Sequence, residues 1–306
     1  MMWPVGSARI HRVTETAHWP FPPEEAFPDW TAEHAAQAAR RFPEAYDATT
    51  GELVLSIHTH VIELGNLRIV VDAGNGDHKP RPVLAAHHGF AAGQPDRLRA
   101  SGFPPDSIDV VATTHLHPDH CGGNTVLRDG GWIPTFGNAQ YLIVRADQHW
   151  LDRLGEPGAG TVESDLARMR EDSVRPLARQ IQVVDAPHPI ADHDGTRVRL
   201  EPAPGHSPGH CVVTVEAADG SGALIGGDLL HHPLQLDHPE LVHVGDGDPE
   251  AAAASRRAWL GLAAERRWPV LTAHFPEGAP QLITETADGL AWVERASQDA
   301  GPSRQP

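Results

Sequence analysis

The sequence predicts an α+β or α/β protein in which two mixed β-sheets pack together and helices cover their outer faces. Two observations lead to this fold class. Apolar, strand-like runs fall into two groups along the 306-residue chain, and segments with helical patterns accompany each group. With 40% hydrophobic residues, the chain is also long enough to bury one large core. We therefore expect a single domain spanning residues 1–306, in which residues 1–50 form an N-terminal arm.

The first group of elements lies in the first half of the chain. Residues 51–74 are rich in leucine and β-branched residues around a Gly-Asn dipeptide, which predicts two strands joined by a tight turn. Residues 94–102 predict a short helix that ends at a glycine. The apolar run at 107–115 predicts a buried strand, and 139–151 predicts a strand that continues into a helix.

The second group begins with a helical segment at 163–172. Four strands are expected after it, at 181–186, 196–206, 211–217 and 222–228. Asp248 and Pro249 then begin a helix that extends to about Arg267, because Asp is favoured just before a helix and Pro in its first turn. The apolar run 268–274 predicts the last strand.

Charge and composition restrict the partners and the compartment. The net charge of −17 argues against a large contact with a phosphate backbone, so we expect no nucleic-acid partner. No apolar run reaches the length of a transmembrane helix and no signal peptide is recognisable, so no membrane partner is expected. Cys121 and Cys211 form no disulfide framework, which fits a cytoplasmic protein. We expect a small-molecule substrate and leave a homodimer open.

The aromatic and proline-rich stretch at 18–30 has two interpretations. Its aromatic residues could line an apolar substrate pocket, or they could pack an N-terminal arm against the body of the protein or a partner subunit. We favour packing for Trp19, Phe21, Phe27 and Trp30. Trp132 and Trp150 have the same two interpretations.

The segment THLHPDHCGGN, residues 114–124, crowds His115, His117, Asp119 and His120 into six positions. Burying such groups is costly unless a partner compensates them, and a metal ion is the obvious partner. Pro118 keeps His117 extended, so that His115 and His117 point to one side.

Three further residues of metal-binding type end predicted strands: His206, Asp228 and His274. Imidazole and carboxylate ligands suit zinc first, with manganese, iron or cobalt as alternatives. Seven ligands exceed what one tetrahedral ion accepts, and they suit two divalent ions roughly 3.5–4 Å apart.

This order of motifs, H-x-H-x-D-H at 115–120 followed by the three later residues, resembles the metallo-β-lactamase superfamily. The resemblance implies a four-layer αβ/βα sandwich with the site at one edge of the two sheets. It further implies that His115, His117 and His206 bind one ion, that Asp119, His120 and His274 bind the other, and that Asp228 bridges them. The softer motifs PGHSPGH and GGDLLHHPLQL resemble the lactonase and methyl parathion hydrolase group.

A dinuclear site of this kind predicts a hydrolase. Two ions lower the pKa of a bridging water, and the resulting hydroxide attacks a lactone, a carboxylic ester or a phosphotriester. Asp119 is the candidate catalytic residue, because it could orient the nucleophile and pass a proton to the leaving group. We favour a water nucleophile over a serine nucleophile, although GHSPG at 205–209 matches the letters of the G-x-S-x-G motif.

Other functions of the same fold stay open as alternatives. A mononuclear iron redox enzyme similar to persulfide dioxygenases is one, and a β-lactamase is another, although Asp228 stands where some β-lactamases have Cys. A flavodiiron protein is disfavoured because His117 stands where that group has Glu, and nucleases are disfavoured by the acidic charge. A non-enzymatic metal-binding module is the weakest alternative.

The resemblance to acyl-homoserine lactonases implies a Tyr close to the bridging Asp. This chain has only Tyr46 and Tyr141, and neither lies between His206 and Asp228. The group that binds the substrate carbonyl therefore stays unassigned.

Several neighbours of the motifs invite assignment. We predict that His210 is structural, that Cys121 is a small buried thiol, and that Asp72 either orients a metal-binding histidine or forms a turn. His231 and His232 fit a pocket wall or an exposed pair equally well. No spacing assigns a role to His58, His60, His87 or His88.

Overall fold

The structure, a computed structural model, describes residues 1–158, 160–279, 281–287 and 289–293. The described residues form 17 strands. These are β1 (Met2–Val5), β2 (Ala8–Phe21), β3 (Tyr46–Asp47), β4 (Glu52–Leu64), β5 (Leu67–Val71), β6 (Val110–Ala112), β7 (Thr125–Arg128), β8 (Gly131–Pro134), β9 (Gln140–Val144), β10 (Ile181–Val184), β11 (His188–His193), β12 (Thr196–Pro202), β13 (Cys211–Glu216), β14 (Gly222–Gly227), β15 (Val270–Thr272), β16 (Ile283–Thr286) and β17 (Gly289–Trp292).

The same residues form seven α-helices. They are α1 (Pro23–Ala26), α2 (Ala32–Arg41), α3 (Gln94–Ala100), α4 (Pro118–Cys121), α5 (Arg145–Asp152), α6 (Val162–Met169) and α7 (Pro249–Arg266). A π-helical turn, Arg170–Val174, continues α6. In the part of the chain that the structure covers, no helix is both long enough and apolar enough to cross a membrane.

Two mixed sheets form the centre of the fold. The first has the strand order β1-β2-β4-β5-β6-β9-β10, with β3 also paired to β4. The second has the order β11-β12-β13-β14-β15. Each sheet combines antiparallel strands with a parallel part, which is β5-β6-β9-β10 in the first sheet and β14-β15 in the second. The prediction of two mixed sheets is therefore confirmed.

The core lies between the sheets. Ile62 and Ile69 of the first sheet share one buried cluster with Val213 and Ile225 of the second. Because side chains alternate along a strand, the intervening residues face outward. On the outer face of the second sheet they pack against α7, and on the outer face of the first they pack against α3. The layer order is therefore helix, sheet, sheet, helix, as the sequence predicts.

Residues 1–50 take part in the first sheet. Strand β2 pairs with β4 over most of its length, from Ala8 opposite Leu64 to Phe21 opposite Leu53. Strands β1, β2 and β3 of this segment therefore belong to the first sheet, whereas an N-terminal arm was expected. The apolar alternation along β2 is weak because polar residues interrupt it. The pairing register of β2 with β4 also shifts twice, between Thr14 and Thr16 and between Thr16 and Trp19.

The nine predicted strands, and the helix that begins after Asp248, are present. Eight strands of the described residues were not predicted, namely β1, β2, β3, β7, β8, β11, β16 and β17. Strand β11 has the sequence HPIADH, which lacks alternating apolar residues because the strand lies at a sheet edge. Strands β16 and β17 form a separate hairpin beyond the strand expected to be last. This hairpin supplies Ile283 and Trp292 to the cluster around α7.

Candidate metal centre

The seven predicted ligands converge at one edge of both sheets. His115, His117, Asp119 and His120 follow β6 of the first sheet. The other three come from the second sheet, where His206 follows β12, Asp228 follows β14 and His274 follows β15. The structure therefore brings all seven together, as the sequence predicts.

Local chemistry explains why residues 117–123 fold as they do. His117 is extended, with φ −109° and ψ 161°, because Pro118 disfavours a helical conformation before it. The helix α4 then turns His120 back toward His115, so that their rings lie 4.0 Å apart. Gly122 and Gly123 are required for close packing, because a Cβ atom would lie 2.0 Å from the carbonyl oxygen of Asn75 or 2.1 Å from that of Ala73.

The two oxygens of Asp228 face different groups of side chains. Oδ2 lies 3.1 Å from Nε2 of His206 and 3.7 Å from Nε2 of His115. Oδ1 lies 3.1 Å from Nε2 of both His120 and His274. Among the described residues, four groups of side chains have potential ligand atoms within 4.8 Å of one another. Two of these groups divide the predicted ligands: one is His115, His117, His206 and Asp228, and the other is Asp119, His120 and His274. The remaining two groups include His231, one with His206 and His243 and the other with Asp228 and His274.

These residues fit a pair of divalent ions. Among the described residues, His115 Nε2, His120 Nε2 and Asp228 Oδ1 are buried polar atoms without a hydrogen-bond partner. Leaving such atoms uncompensated is costly, so their accumulation indicates an additional ligand. Two ligand atoms that share one zinc ion at about 2.1 Å and near-tetrahedral angles lie ~3.4 Å apart. The distances from Asp228, 3.1 to 3.7 Å, bracket this value.

Three of the histidines are oriented by hydrogen bonds at Nδ1, the ring nitrogen opposite the one that would bind an ion. The Nδ1 atom of His120 lies 2.9 Å from Asp72 Oδ2, that of His206 lies 3.0 Å from Asp246 Oδ1, and that of His274 lies 3.1 Å from the carbonyl oxygen of Ser56. Because these oxygens accept, each Nδ1 carries the proton and each Nε2 is left free to bind an ion. Of the two roles considered for Asp72, the orienting one matches this contact.

The residues beside the predicted ligands are structural or line the pocket. His210 is structural, because its Nδ1 donates to the carbonyl oxygen of Ala203 and its Nε2 accepts from the backbone N–H of Asp228. His231 is a pocket-wall residue, and its Nε2 lies 3.0 Å from Asp228 Oδ2. His232 is fully buried and accepts from the backbone N–H of Leu234. Cys121 is a buried thiol, as predicted.

Charges within the cluster stabilise one another. Burial raises the pKa of the Asp228 carboxyl, but the imidazoles of His120 and His274 outweigh this and hold the pKa well below its usual range. The pKa of Asp119 falls to about 2 by the same balance of burial against His120. For His206 burial lowers the pKa, yet Asp228 and Asp246 raise it to about 9. The centre is thus built to hold concentrated charge.

A cavity of about 390 Å³ opens over the cluster. Its walls are mainly apolar and are formed by Trp19, Phe21, Leu55, Leu84, Trp150, Val162, Leu166 and Val244, among others. Trp19, Phe21, Phe27 and Trp30 of stretch 18–30 all pack in one apolar cluster of the protein body, as favoured, and Trp19 and Phe21 line the cavity as well. Trp150 also lines the cavity, whereas Trp132 packs on Lys79.

Two histidines of the cavity wall, His87 and His243, were assigned no role from the sequence. They lie in irregular segments, at the end of a 3₁₀ turn and in the loop before α7, where no periodic pattern indicates which way a side chain points. His243 lies five residues before the helix N-cap Asp248 and not beside a strand end, so its position in the sequence gave no signal of a site residue. Proximity to the cluster arises through tertiary packing alone.

Comparison with known proteins gives consistent results. A family model described as the metallo-beta-lactamase superfamily matches residues 53–274. The chain is 28% identical over 239 residues to a protein named Ribonuclease Z from Mycobacterium sp. (strain KMS), a match that covers 65% of this chain and 78% of that protein.

Solved structures resemble the chain over nearly its whole length. AidC, described as a dizinc quorum-quenching lactonase in complex with a product, superposes with a TM-score of 0.76 at 18% identity and 97% coverage of both chains. AbOPH, described as a hydrolase in the beta lactamase superfamily, gives 0.74 at 20% identity, covering 97% of this chain and 98% of the other. At these identities the similarity shows a shared fold.

Proposed function

The chain belongs to the metallo-beta-lactamase superfamily and is a metal-dependent hydrolase, and we propose that it uses two divalent ions, zinc first among them, to hydrolyse a small neutral ester. In this proposal the substrate is a lactone, a carboxylic ester or a phosphotriester. The observation that carries it is the position of Asp228, whose two oxygens face two separate groups of potential ligands. This arrangement favours a dinuclear centre over the mononuclear redox alternative.

We assign the ions to the two groups described above. His115, His117 and His206 would bind one ion, Asp119, His120 and His274 would bind the other, and Asp228 would bridge them. When bound, two such ions supply an activated water near neutral pH and polarise the oxygen of the bond under attack.

The side chains of the protein would then transfer protons and hold the ligands in position. Asp119 lines the cavity and stays ionised, since its pKa is about 2. A carboxylate at that place can accept a proton from the attacking water and deliver it to the leaving oxygen. Asp72 and Asp246 hold His120 and His206 in position and keep the geometry fixed during the reaction.

The shape and polarity of the cavity support a small, largely apolar substrate. The walls are mainly aromatic and aliphatic, so an acyl chain or an aryl group fits them better than a charged polymer. A net charge of −17 also disfavours RNA, although one relative is named Ribonuclease Z. We therefore place the chain with the small-molecule hydrolases.

A substrate screen on the metal-loaded protein tests this proposal. We expect turnover of at least one of an acyl lactone, an aryl ester and an aryl phosphotriester, and no turnover of a β-lactam or a structured RNA. An Asp119→Asn variant, which cannot carry the proton, serves as the control for contaminating activity. Cleavage of RNA or of a β-lactam alone, abolished in the Asp119→Asn variant, would overturn the proposal.

A further inference from the structure

The cavity contains three imidazoles outside the proposed ligand set: His87, His231 and His243. Their hydrogen bonds decide which of them has a proton to offer a substrate. His87 Nδ1 lies 2.9 Å from Asn75 Oδ1, an acceptor because the amide nitrogen of Asn75 donates elsewhere. His231 Nε2 lies 3.0 Å from a carboxylate oxygen of Asp228. In its neutral form each of these rings therefore donates its N–H to another group of the protein and has no N–H to offer a substrate.

His243 has the opposite arrangement. The backbone N–H of Gly245 donates to its Nδ1 at 3.1 Å, so Nδ1 is unprotonated and the hydrogen is on Nε2. Among the described residues the structure gives Nε2 no hydrogen-bond partner, and the residue is half-buried at the cavity wall. His243 thus offers a neutral N–H donor at the cavity.

The ring of His243 is held firmly. It stacks on His231 with ring centroids 3.5 Å apart and an interplanar angle of 9°, and Phe27 meets it edge-on at 5.5 Å. Gly245 permits this packing, because a Cβ there would lie 2.9 Å from a ring carbon of His206 and 3.0 Å from His243 Nδ1. The centroid of His243 lies 5.9 Å from that of His206, a proposed ligand.

We propose that His243 Nε2 donates a hydrogen bond to the carbonyl or phosphoryl oxygen of the substrate as negative charge develops on it. This inference rests on the proposed function and names the donor that the sequence left unassigned. A fixed donor beside the centre is effective because it needs no reorganisation during the reaction. The indole of Trp150 is the competing donor, but no hydrogen bond within the described chain fixes its ring, which lies 5.7 Å from His117.

Three substitutions of His243 test the proposal. Gln can place an amide N–H near the position of Nε2, Asn can place one only near Nδ1, and Phe keeps the stack on His231 but removes the donor. We expect kcat to fall about 10²- to 10³-fold in His243→Phe and His243→Asn, with KM changed much less, and a smaller loss in His243→Gln. Trp150→Phe should cost less than His243→Phe.

Metal content and melting temperature are measured on the same preparations. Full metal content in His243→Phe, with the Gln variant more active than the Asn variant, would support the donor role. Loss of an ion from His243→Asn would identify His243 as a ligand and overturn the inference. A fully active His243→Phe would also overturn it while leaving the proposed function intact. Wild-type protein that hydrolyses none of the three substrate classes would instead refute the proposed function itself.

Discussion

At the scale of single residues, the carboxylate of Asp228 has the most demanding position. It is buried, it lies within 3.7 Å of five imidazoles, and each oxygen faces a different group. A bridging carboxylate would set the spacing of two ions, and small errors in that spacing are costly for the reaction.

We predict that Asp228→Ala lowers kcat/KM more than about 100-fold while the protein stays folded, because misplaced reacting groups alone cost this much. Kinetics measure kcat/KM, circular dichroism shows whether the protein is folded, and elemental analysis gives the metal content. Asp219→Ala is the matched control, since Asp219 is exposed and hydrogen-bonds within its own turn to Ser221. Near-normal turnover of Asp228→Ala would show that Asp228 is not a ligand.

His206 and His210 look alike in the sequence PGHSPGH, but the structure separates their roles. His206→Ala should lower metal content and abolish hydrolysis. His210→Ala should keep the metal and cost about 1–3 kcal/mol in the free energy of unfolding, because it leaves the backbone groups of Ala203 and Asp228 without partners. Elemental analysis and chemical denaturation of both variants distinguish the cases, and the reverse result would exchange the two roles.

At the scale of elements, β4 buries a histidine in the first sheet. His60 is 3% exposed, and burial, followed by the charge of Arg12, lowers its pKa to about 3. The unfolded chain takes up this proton near the ordinary value of about 6.5. The neutral ring therefore contributes stability above pH 6.5, and that contribution is lost as the pH falls toward 3.

We predict that His60→Phe makes the protein less sensitive to acid. Between pH 7 and pH 5 the wild type should lose about 2 kcal/mol more of its free energy of unfolding than the variant, from this one group. Urea denaturation at both pH values measures the difference. Parallel losses in the two proteins would mean that His60 accepts a proton in the folded state.

The elements also show what can be predicted from sequence. Strands with apolar alternation or a clear turn, such as β4 and β5, were predictable because period and turn chemistry are local properties. Edge strand β11 and the interrupted strand β2 were not, because sheet pairing rather than local pattern stabilises them. The seven cluster residues follow strands and carry a recognisable spacing, whereas Trp19, His87 and His243 reach the cavity only through tertiary packing.

At the scale of the whole molecule, metal content and stability should be coupled. We predict about two ions per chain in protein isolated without chelator. Removal of the ions should lower the melting temperature, since ligand at 1,000 times its Kd stabilises a fold by about 4 kcal/mol. Elemental analysis and thermal unfolding, before and after chelation and after zinc is restored, provide the measurement. Full activity with about one ion would favour the mononuclear alternative.

Net charge is also a property of the whole molecule. With a charge of −17, the chain should repel a phosphate backbone, so we predict no binding of a structured RNA at 150 mM salt and no gain in binding at 50 mM salt. A filter-binding titration at both salt concentrations tests this. Binding that strengthens as salt is lowered would reveal a basic surface patch on a protein whose net charge is negative.

The convergence of side chains from the ends of both sheets has one more consequence. Ions held between His120 on one side and Asp228 on the other would connect the two halves of the sandwich at their common edge. Neither sheet could then separate from the other without giving up its share of ligands. The backbone amides of β6 and β14 should consequently exchange with deuterium at one common, slow rate in the metal-loaded protein, and the two strands should become independent when the ions are withdrawn.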